Sequence, residues 1–216
     1  MNAKHIVINR RRALAGLAAV PLVAGLPISA RAQETESLTA DARGLLPGDR
    51  LMGDESASAV LIEYASLSCP HCARFHGTML PSIKKDWIDE GKLLYVYRDF
   101  PLNAPALWAA MVALCLEGDA YYAFLAILYK EQSTWLQAED PGVALFELSQ
   151  LAGFDKERFE ACIGDEDTFN RLVSGIEYAE ATYGVDSTPT LILNGEKVQP
   201  RDYEELSGLI AESQSS

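Results

Sequence analysis

The order of a strand, a cysteine pair and a helix around residue 65 constrains the fold of this chain more than any other feature of its sequence. Residues 60–65 (VLIEYA) are an apolar run with the length and composition of a buried strand. SLSCPHCARFH follows at residues 66–76, and a helical pattern continues to Gly91, a natural stop. Residues 93–97 predict a second strand. This order indicates a parallel unit with a right-handed crossover.

Helical patterns dominate the rest of the chain, and strand patterns return only near its end. Asn194-Gly195 lies between short strand patterns at residues 190–193 and 197–198, which predicts a hairpin. A last helix is expected at residues 203–212. The sequence therefore predicts an α/β fold, a small sheet domain with a helical domain inserted into it. The predicted helices of the insertion are at residues 104–116, 121–132, 143–152, 156–163 and 168–183.

The first 32 residues have the three parts of a secretory signal peptide. Lys4 and residues 10–12 are basic, residues 13–29 are mostly apolar, and Ala30-Arg31-Ala32 offers small residues to a signal peptidase. We therefore expect export, with cleavage after Ala32. An uncleaved membrane anchor is the alternative, although the apolar stretch is short for a span and contains two prolines.

The charge of the remaining chain argues against nucleic acid as a partner. The whole chain carries a net charge of −13, and its first 32 residues hold five basic side chains and no acidic ones, which leaves −18 for residues 33–216. Binding to nucleic acid phosphates needs a basic surface instead. Four cysteines in an exported chain permit disulfides but are too few to replace a hydrophobic core.

Cys69 and Cys72 are spaced to make a reactive pair. Pro70 suits the first position of a helix, where its missing N–H costs nothing, and this makes Cys69 the N-cap. The sulfur of Cys69 would then accept a hydrogen bond from the first helical turn and lie at the positive end of the helix dipole. Both effects favour its thiolate, as does His71 when protonated. Cys72, inside the first turn, is the expected resolving thiol.

Two other functions of a C-x-x-C pair compete with redox exchange. The pair is also half of a zinc site, to which His76 could contribute, but a fourth ligand is not evident and a surface position is the simpler interpretation of His76. A static structural disulfide is the second alternative, although a bridge across so tight a loop at a helix start suits exchange better. Haem attachment is excluded, because Ala73 rather than histidine follows the second cysteine.

Three segments together resemble a known family. EYASLSCPHCARFH, RDFPL and STPTLILNG look like the DsbA-type thiol:disulfide oxidoreductases of the bacterial periplasm, which have a thioredoxin fold with an inserted helical domain. The resemblance extends from Asp49 to the C-terminus. It implies a thioredoxin-like domain at residues 49–102 and 184–216 and an inserted helical domain at 103–183, preceded by a linker at 33–48.

The resemblance also implies roles for the residues of the cysteine motif. Cys69 would be the nucleophile that forms a mixed disulfide with the substrate, and Cys72 would be the resolving cysteine. Pro70 and His71 would set the reduction potential. The cysteines would themselves be the redox centre, so no small cofactor is expected.

A cis-proline loop facing the cysteines is a further implication of the resemblance. Pro189 would be that proline, with Thr188 before it, and an unfolded substrate would add backbone hydrogen bonds to this strand-like segment. The best-known member type has valine before the proline. Thr188 departs from it, and threonine also occurs there in isomerase relatives.

Glu63, six residues before Cys69, matches the family's buried acid beneath the active site. The strand pattern agrees, because Glu63 shares a face with Leu61 and Ala65 rather than with polar residues. A buried carboxyl at this point could carry the proton of Cys72. The alternative is a solvent-facing glutamate on a half-exposed strand.

Cys115 and Cys162 are 47 residues apart, in two different predicted helices. In an oxidising compartment they can form a structural disulfide, and some DsbA relatives look similar in carrying a second bridge. The alternative is two separate buried thiols that pack as small apolar residues.

The function expected from the sequence is that of a periplasmic dithiol oxidase. The resemblance implies a monomer that oxidises reduced or unfolded exported proteins and is recharged by a quinone-linked membrane oxidase of the DsbB type. One alternative is a disulfide isomerase or reductase of the same fold, although isomerases of this kind usually carry an extra N-terminal dimerisation domain, for which residues 33–48 are too few. A zinc-stabilised binding or chaperone module is the alternative from another class.

Overall fold

In the computed structural model, residues 38–214 are described, and strands β1 to β5 form one mixed sheet within them. The predicted signal peptide (1–32) and the first part of the predicted linker (33–37) lie outside the described residues. Along the sheet the strands follow the order β1-β3-β2-β4-β5, in which β2 and β3 are parallel and all other neighbours are antiparallel. The strands are β1 (Arg50–Met52), β2 (Ala59–Ala65), β3 (Leu93–Asp99), β4 (Thr190–Leu193) and β5 (Glu196–Val198).

Helices connect the strands and follow the sheet in the order that the sequence predicts. One helix lies between the two parallel strands, six lie between β3 and β4, and one follows β5. They are α1 (Pro70–Ile83), α2 (Ala104–Leu114), α3 (Gly118–Lys130), α4 (Gln132–Leu136), α5 (Pro141–Gln150), α6 (Lys156–Ile163), α7 (Glu166–Tyr183) and α8 (Tyr203–Ser213).

Strand β2 lies at the centre of the sheet and is buried on both faces. All seven of its residues are buried. Leu61 and Ala65 pack in one apolar cluster with Phe75 of α1, whereas Val60 packs in a second cluster with Ala179 of α7. Because side chains alternate along a strand, Glu63 belongs to the first face, the one that faces α1. The sheet therefore presents Glu63 to the helix that begins at the cysteine pair.

The C-terminal half of helix α1 departs from ideal α-helical geometry. Pro81 lies inside it, where the sequence predicts a kink. The helix runs on to Ile83 and then changes to a π-helical segment, Lys84–Ile88, in which the N–H of Asp89 donates to the carbonyl of Lys84 at 2.8 Å. Pro81 removes one hydrogen bond from the helical ladder, and the π-helical turn that follows is a second irregularity at this end of α1.

Two short elements were not predicted from the sequence. Strand β1 pairs antiparallel with β3, with Arg50 opposite Tyr97, but three residues are too few to show an alternating pattern. Helix α4 is a five-residue helix directly after α3. The predicted hairpin is present, and Asn194 and Gly195 both adopt positive φ, as a two-residue turn of this kind requires.

One apolar cluster runs from the sheet into the helices, so packing alone does not mark a domain boundary. Leu61 of β2, Phe75 of α1 and Phe124 of α3 all belong to it. The division at residues 102/103 and 183/184 therefore stays a prediction.

None of the helices found between residues 38 and 214 is both long and apolar enough to span a membrane.

Candidate active site

Cys69 is the N-cap of α1, and Pro70 occupies the first helical position. The sulfur of Cys69 accepts a hydrogen bond from the backbone N–H of Cys72 at 3.5 Å. This geometry places the sulfur at the positive end of the helix, which favours a negative charge there. The two cysteines are not bridged to each other or to any other cysteine.

Both cysteines are buried, and Cys72 is the deeper of the two. Its side chain is fully buried, and Cys69 is 4% exposed at the end of the helix. Burial is the largest cause that raises the pKa of the Cys72 thiol far above its ordinary value, and the charge of Glu63 is the next. Cys72 therefore holds its proton at neutral pH and needs help to lose it.

The loop before β4 lies against the sulfur of Cys69. The Thr188–Pro189 peptide bond is cis, and the thiol of Cys69 donates to the carbonyl oxygen of Thr188 at 3.2 Å. The hydroxyl of Thr188 is buried, and no residue between 38 and 214 provides it with a hydrogen-bond partner. The structure therefore brings Thr188 and Pro189 to the cysteine pair, as the resemblance implied.

A surface groove begins beside this contact. His71, exposed in the first turn of α1, and Pro189 both line it. Phe75, Met79 and Tyr203 supply its apolar part. An extended peptide lying here would pass next to the sulfur of Cys69 and the backbone of Thr188.

Glu63 is fully buried beneath α1 and has two hydrogen-bond partners. Its Oε2 accepts from the hydroxyl of Tyr95 and lies 3.0 Å from Nε2 of His76. Its Oε1 is buried with no partner in the structure. Glu63 therefore has the buried position that the sequence predicted.

The surface position predicted for His76 is wrong. Its side chain is only 7% exposed and its ring lies against Tyr129 of α3, with ring centroids 4.1 Å apart. The helical pattern placed His76 one turn after Cys72, on the face of α1 that the sheet and α3 cover. Among residues 38–214, no group of three or more His, Cys, Asp and Glu side chains is arranged to hold a metal ion.

Gln132 is a site residue that sequence reasoning missed. It is nearly buried, and its side-chain nitrogen donates to the backbone carbonyls of Leu67 at 2.9 Å and Cys69 at 3.0 Å. Ser66 supports the same loop, because its hydroxyl accepts from the N–H of Leu102 at 3.2 Å. No local pattern marks Gln132, since its partners lie more than 60 residues away.

Cys115 and Cys162 are joined by a disulfide, with their Cα atoms 6.2 Å apart. Cys115 ends α2, and Cys162 lies in α6. The bridge closes a loop of 47 residues, for which the chain-entropy account gives a stabilisation of about 4 kcal/mol. The predicted pairing of Cys115 with Cys162 is present, and its structural role stays a prediction.

Comparison with known proteins places this geometry in a family. A family model described as "Thioredoxin" matches residues 46–212. The crystal structure of Wolbachia pipientis alpha-DsbA1 is similar with a TM-score of 0.73 and 30% identity, over 79% of this chain and 93% of that one. The oxidised BdbD of Bacillus subtilis shares the fold, with a TM-score of 0.66 and 20% identity over 78% and 94% of the two chains.

A curated relative from Rickettsia bellii, named "Putative protein-disulfide oxidoreductase", is 31% identical over 157 residues. The match covers 72% of this chain and 60% of that protein, so this chain spans well under the full length of its relative. The predicted α/β fold of thioredoxin type and the resemblance to DsbA proteins are confirmed by these matches. The chain belongs to the thioredoxin family, as a member of its DsbA-type branch.

Proposed function

We propose that this chain is a dithiol oxidase, which passes a Cys69–Cys72 disulfide to pairs of cysteines in exported, unfolded proteins. The observation that carries the proposal is the position of Cys69 as N-cap, with its sulfur receiving the N–H of Cys72. A thiolate stabilised in the reduced protein makes the corresponding disulfide easier to reduce, and therefore a stronger oxidant of other proteins.

The proposed exchange proceeds in two displacements. A substrate thiolate attacks the sulfur of Cys69, the Cys69–Cys72 bond breaks, and Cys72 leaves as a thiolate that takes up one proton. A second substrate thiolate attacks the substrate sulfur of the mixed disulfide, and Cys69 leaves as a thiolate. The substrate loses two electrons and gains a disulfide, and the protein is left with a reduced cysteine pair.

The two cysteines are suited to different parts of this exchange. The thiol of Cys69 contacts the carbonyl oxygen of Thr188, which lines the groove, so a substrate in the groove would lie close to Cys69. Cys72 is fully buried and has a raised pKa, so it binds a proton readily when it leaves. Glu63, buried on the face of β2 toward α1, is the proposed group that exchanges this proton with Cys72.

Substrate binding is proposed to use backbone contacts rather than side-chain specificity. Thr188 and Pro189 lie in the loop directly before β4, and an extended substrate can add backbone hydrogen bonds to this loop. Backbone recognition suits an enzyme that acts on many unfolded proteins.

Pro70 and His71, both exposed in the first turn of α1, are proposed to set the reduction potential.

The proposed setting is the periplasm, reached through a signal peptide that is cleaved after Ala32. The disulfide between Cys115 and Cys162 supports an oxidising compartment. We propose a quinone-linked membrane oxidase of the DsbB type as the electron acceptor that restores the cysteine pair. The protein is proposed to act as a monomer, and the net charge of −18 on residues 33–216 argues against nucleic acid as a partner.

The test follows free thiols in a reduced, unfolded protein that contains two cysteines. The oxidised wild-type protein should remove two thiols from the substrate for each equivalent added. Cys69→Ser should abolish this loss. Cys72→Ser, loaded beforehand with a glutathione disulfide on Cys69, should release glutathione to the attacking substrate thiolate and accumulate a covalent complex with the substrate, visible by mass spectrometry. An isomerase would rearrange a scrambled substrate without net loss of thiols, and a reductase would release thiols. Either outcome would contradict the proposal.

A further inference from the structure

His76 contacts the buried side chain of Glu63 and also lines a groove. This groove lies on the side of α1 opposite the proposed substrate groove. We propose that His76 is a positioning residue for the Cys72 step, one that holds Glu63 in place and connects it with solvent through the groove between α1 and α3. A proton released or taken up at Cys72 then has a route to water. The inference rests on the proposed function, because it concerns one step of the same exchange.

Burial makes such a route necessary. The side chains of Cys72 and Glu63 are both fully buried. A proton lost by Cys72 to Glu63 must still leave the protein before the next cycle, and the same proton must return when Cys72 departs as a thiolate. Both transfers need a group within hydrogen-bond reach, directly or through one water.

His76 is the neighbour of Glu63 that also borders open space. Its Nε2 lies 3.0 Å from Oε2 of Glu63. The same side chain lines a groove that Gly77 of α1 and Ala126 of α3 also border, with a volume of about 950 Å³. Imidazole has two nitrogens, so it can take a proton at one and release it at the other.

The ring of His76 is fixed by its packing. Tyr129 lies against its face, with ring centroids 4.1 Å apart, and Phe75 and Tyr97 make edge contacts at 5.9 and 5.7 Å. A ring held from three sides keeps its nitrogen on the carboxylate. This is the arrangement that a proton route requires and that a mobile surface histidine would lack.

The other titratable groups around the pair do not compete for this role. Burial raises the pKa of Tyr95, Tyr97 and Tyr129 well above the ordinary value, so these hydroxyls stay protonated at neutral pH. They can donate hydrogen bonds without changing charge. The titratable and charged groups that face His76 and Glu63 or border the groove are Cys72 and Lys84 on the α1 side, Tyr95 and Tyr97 on β3, and Asp119, Tyr122, Tyr129 and Lys130 on α3.

The proposed proton movement balances in both directions. When Cys72 attacks a mixed disulfide on Cys69, its thiol proton passes to the carboxylate of Glu63 and from there through His76 to solvent. The Cys72 sulfur forms a bond to the Cys69 sulfur, and the partner leaves as a thiolate. When Cys72 departs in the opposite reaction, a proton enters by the same route. His76 undergoes no redox change.

Two variants of His76 separate a proton route from a packing role. His76→Gln keeps an N–H donor near Glu63 but cannot titrate, and His76→Leu removes both functions. Tyr129→Phe is the matched control, because it keeps the ring against His76 and removes a hydroxyl that bonds to the hydroxyl of Tyr97 rather than to His76 or Glu63. Circular dichroism establishes that each variant is folded. His76→Gln keeps the inference testable should His76→Leu fail to fold.

The readout is the rate at which Cys72 resolves a mixed disulfide between Cys69 and glutathione, measured by acid quenching and mass spectrometry from pH 5 to 9. We expect His76→Gln to resolve the mixed disulfide about tenfold more slowly at pH 7, a smaller loss than the removal of general acid–base catalysis typically causes. The rate of His76→Gln should also depend less on pH than that of the wild type, because glutamine cannot pass a proton between Glu63 and solvent. Tyr129→Phe should keep the wild-type profile.

A wild-type rate and profile in His76→Gln would overturn the inference, as would an equal slowing at every pH, which a packing role predicts. A different result would contradict the proposed function. A wild-type protein that shows the His76-dependent profile but reduces its substrates would contradict the oxidase and leave the proton route standing.

Discussion

The side-chain nitrogen of Gln132 lies 3.0 Å from the carbonyl oxygen of Cys69 and donates a hydrogen bond to it. The same nitrogen donates to the carbonyl of Leu67 at 2.9 Å. Gln132 is the first residue of α4, 63 residues beyond Cys69. A helix that follows β3 in the chain therefore fixes the backbone from which the redox motif starts.

Gln132→Ala should destabilise the protein. The substitution removes the donor from the carbonyl of Leu67 and one of two donors from the carbonyl of Cys69, which also accepts from the N–H of Ala73. We expect it to lower the free energy of unfolding by about 1–3 kcal/mol. Urea denaturation measures the change. Gln150→Ala, at an exposed position of α5, is the matched control and should change stability by less than about 0.5 kcal/mol. Equal stabilities for the two variants would show that the Gln132 contacts contribute nothing.

Glu63→Gln should lower the pKa of Cys72. The negative charge of Glu63 disfavours a thiolate at Cys72, so the neutral amide removes one of the causes that raise this pKa. Burial, the larger cause, remains, and the pKa should stay above the ordinary value for cysteine. Ultraviolet absorbance of the thiolate, followed against pH in a Cys69→Ser background, measures the shift. Glu55→Gln, at an exposed position, should leave it unchanged.

Removing the second disulfide should lower stability without ending activity. The double variant Cys115→Ala, Cys162→Ala loses a bridge over 47 residues, and we expect about 4 kcal/mol less free energy of unfolding. Chemical denaturation should be run with the Cys69–Cys72 pair reduced in both proteins, so that only one bridge differs. An unchanged midpoint would mean that the bridge does not constrain the unfolded chain.

Asp99 at the end of β3 should make stability depend on pH. Burial raises the pKa of Asp99 to about 7 in the folded protein, against about 3.9 in an unfolded chain. Between these values the folded state binds more protons than the unfolded state, so Asp99 lowers stability as the pH rises from about 4 to 7. Asp99→Asn should lose this slope and gain stability at pH 7. Asp186→Asn, at an exposed site, should keep the slope of the wild type.

The parts of the site that sequence analysis predicted are encoded within a few residues of each other. The N-cap position of Cys69 follows from the proline beside it. The burial of Glu63 follows from the apolar run around it, and the alternation along that strand sets the face on which it lies. Both could be inferred because a local pattern determines them.

What sequence analysis missed depends on contacts between distant elements. Gln132 binds a loop more than 60 residues earlier, and Tyr95 meets Glu63 only because β2 and β3 pair in one register. The interpretation of His76 failed for the same reason. Its helix face is covered by Tyr129 of α3, which no pattern within α1 can reveal.

The reduction potential of the Cys69–Cys72 pair is the most direct test of the central claim that this site is built to oxidise. It is measured by equilibrating the protein with glutathione, with Cys69→Ser as the control that shows no redox transition. The N-cap position of Cys69 predicts a value near the oxidising end of the thioredoxin-fold range, about −120 mV, the value typical of DsbA itself. A value near about −270 mV, typical of thioredoxin, would contradict the account and make this protein a reductase.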